Sequence, residues 1–369
     1  MCFDILLLRR MVTPRINFTP GPSQLYFTVE DHARSAFKEG IPSLSHRSKK
    51  FESLYKDVSD GLRELLGIPA NFHILFTGSA TEIWERIVQN LVEHKSLHLV
   101  NGSFSKRFYE VALQLGRSST SIEVAPGLGF TGQINVSSDT ELIAVTQNET
   151  STGVSTSLEQ LSDLRRKHPE VLIAVDAVSS LPYPDFDYNA VDTVFFSVQK
   201  GFGLPAGLGV WIVNEKCADK ANALLGRKVS IGSYHNLPSL IQHEAKFQTP
   251  ETPNVLAIYL LGRVIADMLR VGIHKIRKDT EYKAALLYNE LNAHSVIKPF
   301  VKEKSWQSKT VIVAETGSAT KALTERLLQS GIQPGDGYGS GKATQLRFAN
   351  FPTHGKEQFE LLCDIIKAF

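Results

Sequence analysis

The segment VLIAVD, residues 171–176, is a run of five apolar residues that ends in a carboxylate. A short apolar run of this kind is consistent with a strand buried on both faces of a sheet. Similar runs occur elsewhere and alternate with longer amphipathic stretches, and this alternation predicts an α/β sheet. The predicted strands are residues 72–77, 96–100, 121–124, 141–146, 171–175, 193–197 and 209–213, and the predicted helices are residues 82–93, 105–115 and 158–167.

The chain after residue 253 has a different pattern. Two long helices come first, and a strand, a helix, a strand and a helix follow them. These elements are predicted at residues 254–270, 273–293, 309–314, 321–330, 345–348 and 356–368. We therefore expect a large domain over residues 16–255 and a small α+β domain over residues 256–369. Residues 1–15 would be a disordered lead or the product of a misassigned start codon, with Met11 as the true start.

The composition is that of an ordinary globular protein. The 369 residues are 42% hydrophobic and 21% charged, and 40 basic side chains nearly balance 38 acidic ones. Neither a nucleic-acid partner nor a membrane partner is therefore expected. The three cysteines, Cys2, Cys217 and Cys363, show neither metal-binding nor disulfide spacing, which predicts a reducing cytoplasmic location and no metal site.

Two polar residues at predicted strand ends are candidates for chemistry. Asp176 closes one apolar strand, and Lys200 follows another within SVQKGFGLPAG, residues 197–207. Each has a simpler interpretation, as a helix cap or turn residue and as a solvated loop residue. A lysine in a partly dry site, however, has a lowered pKa and can act as a nucleophile. Chemistry with pyridoxal phosphate (PLP) needs such an amine together with a carboxylate at the pyridine nitrogen.

Three further features are ambiguous when each is taken alone. Residues 78–81 (GSAT) lie between a strand and a helix and would either hold a phosphate or supply an ordinary N-cap at Ser79 or Thr81. Phe104 follows a strand end and would stack on a flat ring or belong to the core. Arg347 lies in an apolar strand and needs a partner, either a substrate carboxylate or a structural Asp or Glu.

Several motifs occur together and in a fixed order. They are INFTPGPS at 16–23, LSHRSKKF at 44–51, NET at 148–150, DAVSS at 176–180, QK at 199–200 and QTPET at 248–252. In this order and spacing the chain resembles the class V aminotransferases, and within them the phosphoserine aminotransferases, over residues 16–369. The resemblance implies a PLP-dependent transferase of fold type I. Its large PLP-binding domain would have a mixed seven-stranded sheet and would be followed by a small α+β C-terminal domain.

The resemblance also implies a role for individual residues. Lys200 would carry the cofactor as a Schiff base and move the proton, and Asp176 would pair with the pyridinium. Phe104 would stack on the ring, where these enzymes usually have tryptophan, and Thr150 would bind the phenolic oxygen. The cofactor phosphate would be bound by Ala80, Thr81 and Gln199, and the phosphate of the neighbouring subunit's cofactor by Gln248 and Thr249. Arg347 would bind the substrate α-carboxylate, and Arg47 with His46 would bind the substrate's distal anion.

Two departures from the family pattern concern anion recognition. Gln248-Thr249 stands where the family usually has Asn-Thr, and Ser340-Gly341 stands where the phosphoserine enzymes have a His-Arg pair. Lys342 could replace that pair only as a point charge, because it lacks the fork of an arginine.

The implied reaction converts O-phosphoserine and 2-oxoglutarate to 3-phosphohydroxypyruvate and glutamate, as in serine biosynthesis, in a homodimer with shared sites. An alternative is a class V aminotransferase for a small unphosphorylated donor, such as alanine or serine, with glyoxylate or pyruvate. A cysteine desulfurase would share the fold but needs a cysteine on a mobile loop. Cys363 lies in a predicted helix, however, and Cys217 lies in a surface-like stretch. A binding protein without catalytic activity would have lost Lys200 or Asp176.

Overall fold

The structure, a computed structural model, describes residues 16–369. The predictions for residues 1–15, including the choice between Met1 and Met11, lie outside this range. Strands β1 to β15 are, in chain order, Ile16–Asn17, Phe72–Thr77, Ser96–Val100, Thr120–Glu123, Leu142–Thr146, Asn148–Glu149, Val154–Ser155, Leu172–Asp176, Thr193–Ser197, Gly209–Asn214, Lys298–Pro299, Val311–Glu315, Ile332–Gln333, Gly335–Asp336 and Gln345–Ala349. Helices α1 to α11 are, in chain order, Val29–Lys38, Lys49–Leu66, Ala80–Leu91, Ser103–Gln114, Leu158–Lys167, Glu215–Gly226, Leu237–Glu244, Val255–Val271, Ile273–Ala293, Thr320–Gln329 and Lys356–Lys367.

A mixed seven-stranded sheet is the centre of the fold, as predicted. Its strand order is β2-β10-β9-β8-β5-β3-β4. Strand β10 runs antiparallel to β2 and β9, and the other pairs are parallel. Every residue of β3, β5, β8 and β9 is buried, which explains their continuous apolar sequences. The parallel strands bring the ends of β5 and β8 to one edge of the sheet, where Thr146 pairs with Asp176.

The described chain contains four helices that the apolar pattern did not predict, namely α1, α2, α6 and α7. The longest of them, α2, begins at the N-cap Ser48, whose side chain accepts a hydrogen bond from the Phe51 N–H. It ends at Gly67, where φ is +68°, a conformation that glycine adopts without steric cost. The two end residues, Ser48 and Gly67, therefore indicated this helix in the sequence. Its apolar residues did not, because they are spread over many turns.

The C-terminal part is α+β, as predicted. A four-stranded sheet, β11-β12-β15-β14, is antiparallel throughout, and α9 and α11 pack on each other beside it. Strand β1 pairs with β13, so the start of the described chain joins this part. Helix α8 packs on α2 and contributes to the core of the large sheet. The boundary near residue 256 stays a prediction.

The placement of Cys217 in a surface-like stretch was wrong. Cys217 lies in α6 with no exposed surface, because its face of the helix packs against the seven-stranded sheet. Burial raises the pKa of its thiol well above the ordinary value. Cys363 is also buried, in α11, so neither cysteine lies on a loop. Within residues 16–369, no helix is long and apolar enough to cross a membrane.

Candidate active site

Asp176 is the last residue of β8 and is almost fully buried. One carboxylate oxygen, Oδ2, accepts a hydrogen bond from the Trp84 indole nitrogen at 2.9 Å. The other, Oδ1, accepts one from the Val178 N–H at 3.0 Å. Burial raises the pKa of Asp176 to about 6, although both hydrogen bonds and the charge of Lys200 act in the opposite direction. An ionised Asp176 would therefore be stabilised by a cation placed against it in the cavity.

Lys200 lies in the turn after β9 and is also buried. Its amine donates a hydrogen bond to the Thr150 hydroxyl at 3.0 Å. Burial lowers the pKa of Lys200 to about 8, and the charge of Arg347 adds to this effect. Gly21 lies against the lysine stem, and a Cβ atom at that position would be 2.7 Å from Lys200 Cε. The INFTPGPS segment therefore covers one side of the lysine.

Phe104 faces the same cavity from the first turn of α4. The centre of its ring is 5.1 Å from Lys200 Nζ and 5.2 Å from the centre of the Tyr338 ring. Phe104 packs only partly against the core, so the geometry favours the stacking interpretation over the core interpretation.

Arg347 lies in β15 and reaches the site from the C-terminal sheet. Its Nε donates to the Asp336 carbonyl at 2.6 Å, and its Nη1 donates to the Thr150 carbonyl at 3.2 Å. The Tyr338 ring lies 5.3 Å from the guanidinium carbon. Among residues 16–369, no carboxylate lies within ion-pair distance of Arg347, which leaves the structural Asp or Glu alternative without a partner in this part of the chain. The remaining N–H groups are free to bind a substrate carboxylate.

The segment at residues 78–81 serves as both a cap and a cavity wall. Ser79 is the N-cap of α3, and its side chain accepts a hydrogen bond from the Glu82 N–H at 3.1 Å. The Ala80 N–H donates to Ser197 Oγ at 2.8 Å. Ala80 and Thr81 follow as the first helical residues and line the cavity. The positive end of α3 therefore points at this space, as phosphate binding requires.

One cavity brings together Asp176, Lys200, Phe104 and the first residues of α3, whereas Arg347 is not among its lining residues. Its wall combines an amine, a carboxylate, an aromatic ring and a helix N-terminus, which are the groups that PLP needs. The lining residues are Ala80, Thr81, Trp84, Phe104, Thr146, Asn148, Thr150, Asp176, Val178, Ser197, Gln199 and Lys200.

A second group of predicted residues lies outside this cavity. Arg47 is exposed, and its guanidinium donates to the Gln248 side-chain oxygen at 2.8 Å and to the Pro250 carbonyl at 3.2 Å. The Thr249 hydroxyl donates to the Glu251 carbonyl at 2.7 Å. His46 is next to Arg47, and burial lowers its pKa. The single chain therefore brings these predicted residues together with one another, but not with Lys200.

The loop that replaces the family's His-Arg pair is tightly packed. A Cβ atom at Gly341 would lie 2.2 Å from Gln345 Oε1, and one at Gly337 would lie 2.1 Å from the Gly341 carbonyl oxygen. A side chain at position 341 would require the Gln345 side chain to move away. Lys342 is exposed and does not line the cavity around Lys200.

Trp84 and Glu149 are two residues whose part in the site was not predicted from the sequence. Trp84 lies four positions after Ala80 on α3, and this spacing places both on one helix face, which was the available signal. Glu149 is fully buried, and its carboxylate accepts hydrogen bonds from the Ser105 N–H at 2.9 Å and the Ser151 hydroxyl at 2.6 Å. It joins the first turn of α4 to the loop that carries Thr150.

Comparison with known proteins identifies the class of enzyme. The family model for class V aminotransferases matches residues 16–338. The chain belongs to this family, and it is therefore an aminotransferase whose cofactor is PLP, as predicted. The residues around Lys200 fit that cofactor, because the buried carboxylate of Asp176 and the amine of Lys200 face one cavity beside Phe104 and the start of α3.

Three known proteins illustrate the similarity. A phosphoserine aminotransferase structure from Cytophaga hutchinsonii is 51% identical, with a TM-score of 0.95, and the match covers 96% of this chain and 99% of that one. A phosphoserine aminotransferase from Rhodococcus opacus is 26% identical over 92% of this chain and 90% of its own length. An alanine–glyoxylate aminotransferase structure from Nostoc is 22% identical, with a TM-score of 0.82, over 100% of this chain and 99% of that one, and shares the fold.

Replacing Lys200 with methionine should stabilise the cofactor-free protein near neutral pH. The pKa of Lys200 falls from 10.5 to about 8, which corresponds to a cost of about 3 kcal/mol while the amine is protonated. Loss of the hydrogen bond to Thr150 would offset about 1 kcal/mol of this gain. The cost is complete below about pH 8 and shrinks as pH rises to 10.5, so the stabilisation measured by urea unfolding should be larger at pH 7 than at pH 10.

Lys283 provides the matched control for this experiment. It is also buried, and its pKa is lowered to about 7, but its amine donates to the carbonyls of Phe351 at 3.1 Å and His354 at 2.7 Å. Lys283→Met should stabilise the protein less than Lys200→Met, although the pKa shift of Lys283 is larger, because two hydrogen bonds of the amine are lost instead of one. The Phe351 carbonyl keeps the His354 N–H, but the buried His354 carbonyl loses its donor. Destabilisation by Lys200→Met at pH 7 would contradict the protonation cost assigned to Lys200.

Proposed function

We propose that this enzyme transfers the amino group of O-phosphoserine to 2-oxoglutarate and forms 3-phosphohydroxypyruvate and glutamate. The observation that carries the proposal is the match of nearly the whole chain, at 51% identity, to the phosphoserine aminotransferase of Cytophaga hutchinsonii. The Nostoc alanine–glyoxylate enzyme, at 22% identity, supports the fold only, so the unphosphorylated alternative is not favoured. We further propose that the enzyme works in the cytoplasm and in serine biosynthesis.

The side chains around Lys200 each have a task in this reaction. PLP, when bound, supplies an aldehyde that accepts the amino group and a ring that withdraws electrons from the substrate. Lys200 takes the α-proton of the amino acid and returns it to a neighbouring carbon, because its lowered pKa leaves part of it unprotonated near pH 8. Asp176 keeps a proton on the pyridine nitrogen. Arg347 orients the substrate through its α-carboxylate, and Phe104 and Thr150 fix the position of the ring.

The distal anion of the substrate requires a different set of residues. His46, Arg47, Gln248 and Thr249 lie together outside the cavity, which supports a homodimer in which each chain completes its neighbour's site. Arg47 would then meet the substrate phosphate and Thr249 the cofactor phosphate of the partner, with Gln248 holding Arg47 in place. Lys342 would add a point charge near the entrance.

The substrate assignment is tested by comparing three amino donors with 2-oxoglutarate as the acceptor. We expect kcat/KM to be at least about 100-fold higher for O-phosphoserine than for serine or alanine, because a charge-assisted contact is worth about 1.5–3 kcal/mol and Arg47 can make two. Equal values for the three donors would contradict the phosphoserine assignment but leave the aminotransferase class intact.

Arg347→Lys should weaken substrate binding more than turnover. A lysine keeps the positive charge but cannot make the paired hydrogen bonds of a guanidinium. We expect KM for the amino donor to rise by about 10-fold to 100-fold, which corresponds to about 1.4–3 kcal/mol, with a smaller change in kcat. Arg326 in α10 offers a control, because Arg326→Lys should leave KM unchanged. A normal KM for Arg347→Lys would exclude its role at the carboxylate.

A further inference from the structure

His235 is a buried histidine held between two glutamates beside the first turn of α3, which the proposed function assigns to the cofactor phosphate. Only 3% of its surface is exposed. Its Nδ1 lies 2.5 Å from Glu82 Oε1, and its Nε2 lies 2.8 Å from Glu251 Oε2, although the second contact is off the direction of a hydrogen bond. None of these three residues lines the cavity around Lys200. A direct contact with the cofactor therefore does not explain why His235 is held between the two glutamates.

Each glutamate also holds a part of the chain that the proposed function assigns to a phosphate. Glu82 follows Thr81 directly, and its Oε2 accepts a hydrogen bond from the Gly78 N–H at 2.8 Å, which fixes the turn before α3. The backbone carbonyl of Glu251 accepts the hydroxyl of Thr249 at 2.7 Å. His235 thus connects the first turn of α3 with the loop that carries Thr249.

The charges explain why a cation is needed between these two segments. Two carboxylates next to an anion site would repel a phosphate dianion. His235 offsets this charge, since both glutamates raise its pKa to about 9 despite burial and keep it protonated at neutral pH. Other charged groups nearby include Arg86, which lowers the pKa of Glu82, and His46, whose pKa burial lowers although Glu251 acts in the opposite direction.

The backbone shows that the position of His235 is specifically held. Its φ is +51°, in the left-handed region that residues other than glycine rarely adopt. The Tyr234 ring stacks on the imidazole with 3.9 Å between ring centres, and Arg86 donates to the Tyr234 carbonyl at 2.7 Å. The loop is therefore tied to α3 from both sides, and the imidazole has little freedom to move.

We propose that His235 is a positioning residue for the cofactor phosphates. It joins the first turn of α3, assigned to the phosphate of the chain's own cofactor, to the Thr249 loop, assigned to the phosphate of the partner's cofactor, and it neutralises Glu82 and Glu251. This inference rests on the proposed function, because that function assigns the two segments to phosphate binding. His235 itself does not touch the cofactor. It acts through the two glutamates, so its removal should weaken binding of the phosphate group specifically.

The test compares binding of PLP with binding of pyridoxal, which lacks the phosphate, to the cofactor-free full-length protein. His235→Asn removes the cation, and asparagine tolerates a positive φ. We expect the ratio of the two dissociation constants, pyridoxal over PLP, to fall by about tenfold in this variant. The triple variant His235→Asn/Glu82→Gln/Glu251→Gln, which removes all three charges, should recover most of the ratio.

His73→Asn is the matched control. His73 also lies between two glutamates, 3.1 Å from Glu244 and 3.2 Å from Glu215, but on β2 at the other end of the strand from the phosphate turn. The His73→Asn variant should leave the ratio of the two dissociation constants, pyridoxal over PLP, unchanged. A purely structural role of His235 would weaken binding of both ligands equally, and an unchanged ratio in His235→Asn or no recovery in the triple variant would overturn the inference. Failure of the wild-type protein to prefer PLP over pyridoxal would instead contradict the proposed function.

Discussion

Lys200→Ala is expected to reduce the transamination rate by at least about 10⁴-fold. General acid–base catalysis by one positioned group contributes about 10²–10⁴-fold, and Lys200 also supplies the amine that binds the cofactor covalently. In the structure no second amine reaches the cavity, since Lys200 is the only lysine among its lining residues within the described chain. Single-turnover kinetics with O-phosphoserine and the PLP-loaded variant measure the loss.

Two further experiments separate the loss of the titratable amine from the loss of its positive charge. Lys200→Arg keeps the cation but cannot give up a proton at neutral pH, so it should be as inactive as Lys200→Ala. A small primary amine added to Lys200→Ala should restore part of the rate, because it can enter the space left by the side chain and carry the proton. A Lys200→Ala enzyme that keeps more than about a tenth of the wild-type rate would exclude general acid–base catalysis by Lys200.

Asp176→Asn is expected to reduce kcat by about 10²–10⁴-fold, with a smaller change in KM for the amino donor. An amide has nearly the shape of the carboxylate but no negative charge, so it cannot hold a proton on the pyridine nitrogen. The ring would then withdraw electrons poorly from the reacting carbon. Steady-state kinetics over a range of donor concentrations separates the two constants.

Trp84→Phe tests how Asp176 is held in place. This change removes one hydrogen bond to the carboxylate, the one measured at 2.9 Å, but leaves the charge and the bond from the Val178 N–H. We expect kcat to fall by about tenfold or less, because a hydrogen bond to a charged group is worth about 1.5–3 kcal/mol and only part of it would be lost. A larger loss in Trp84→Phe than in Asp176→Asn would contradict the role given to Asp176.

The residues at strand ends were the most predictable part of the site. The apolar runs before Asp176 and Lys200 identified two buried strands, and parallel strands bring such ends to one edge of a sheet. The structure places Asp176 at the end of β8 and Lys200 just after β9, next to each other in the strand order. Sequence patterns carry this information because each strand is a local element with its own periodicity.

Other features depend on contacts between distant parts of the chain, which a local sequence pattern does not encode. Trp84 reaches Asp176 only because α3 lies on the sheet, and Glu149 fixes Phe104 only because two distant loops meet. The prediction for Cys217 was wrong for the same reason. Its helix, α6, has an average composition, but the face that carries Cys217 packs against the core. The tight loop at Gly341 likewise depends on its contact with the Gln345 side chain.

The residues assigned to the partner's site could be identified from the sequence, but their positions in the structure could not be predicted from it. Motif order identified His46, Arg47, Gln248 and Thr249, and in the structure Arg47 donates hydrogen bonds to Gln248 and to the Pro250 carbonyl, which follows Thr249. None of them lines the cavity around Lys200 of the same chain, which agrees with a site shared across a dimer, and that dimer stays a proposal.

Reduction of the PLP-loaded protein with borohydride, followed by peptide mapping, tests the central assignment most directly. Borohydride fixes a cofactor that is covalently bound to a lysine amine, so its mass stays on the peptide that contains that lysine. We predict a single modified site, Lys200. Modification spread over surface lysines, or found at Lys283 while Lys200 is unmodified, would contradict the assignment.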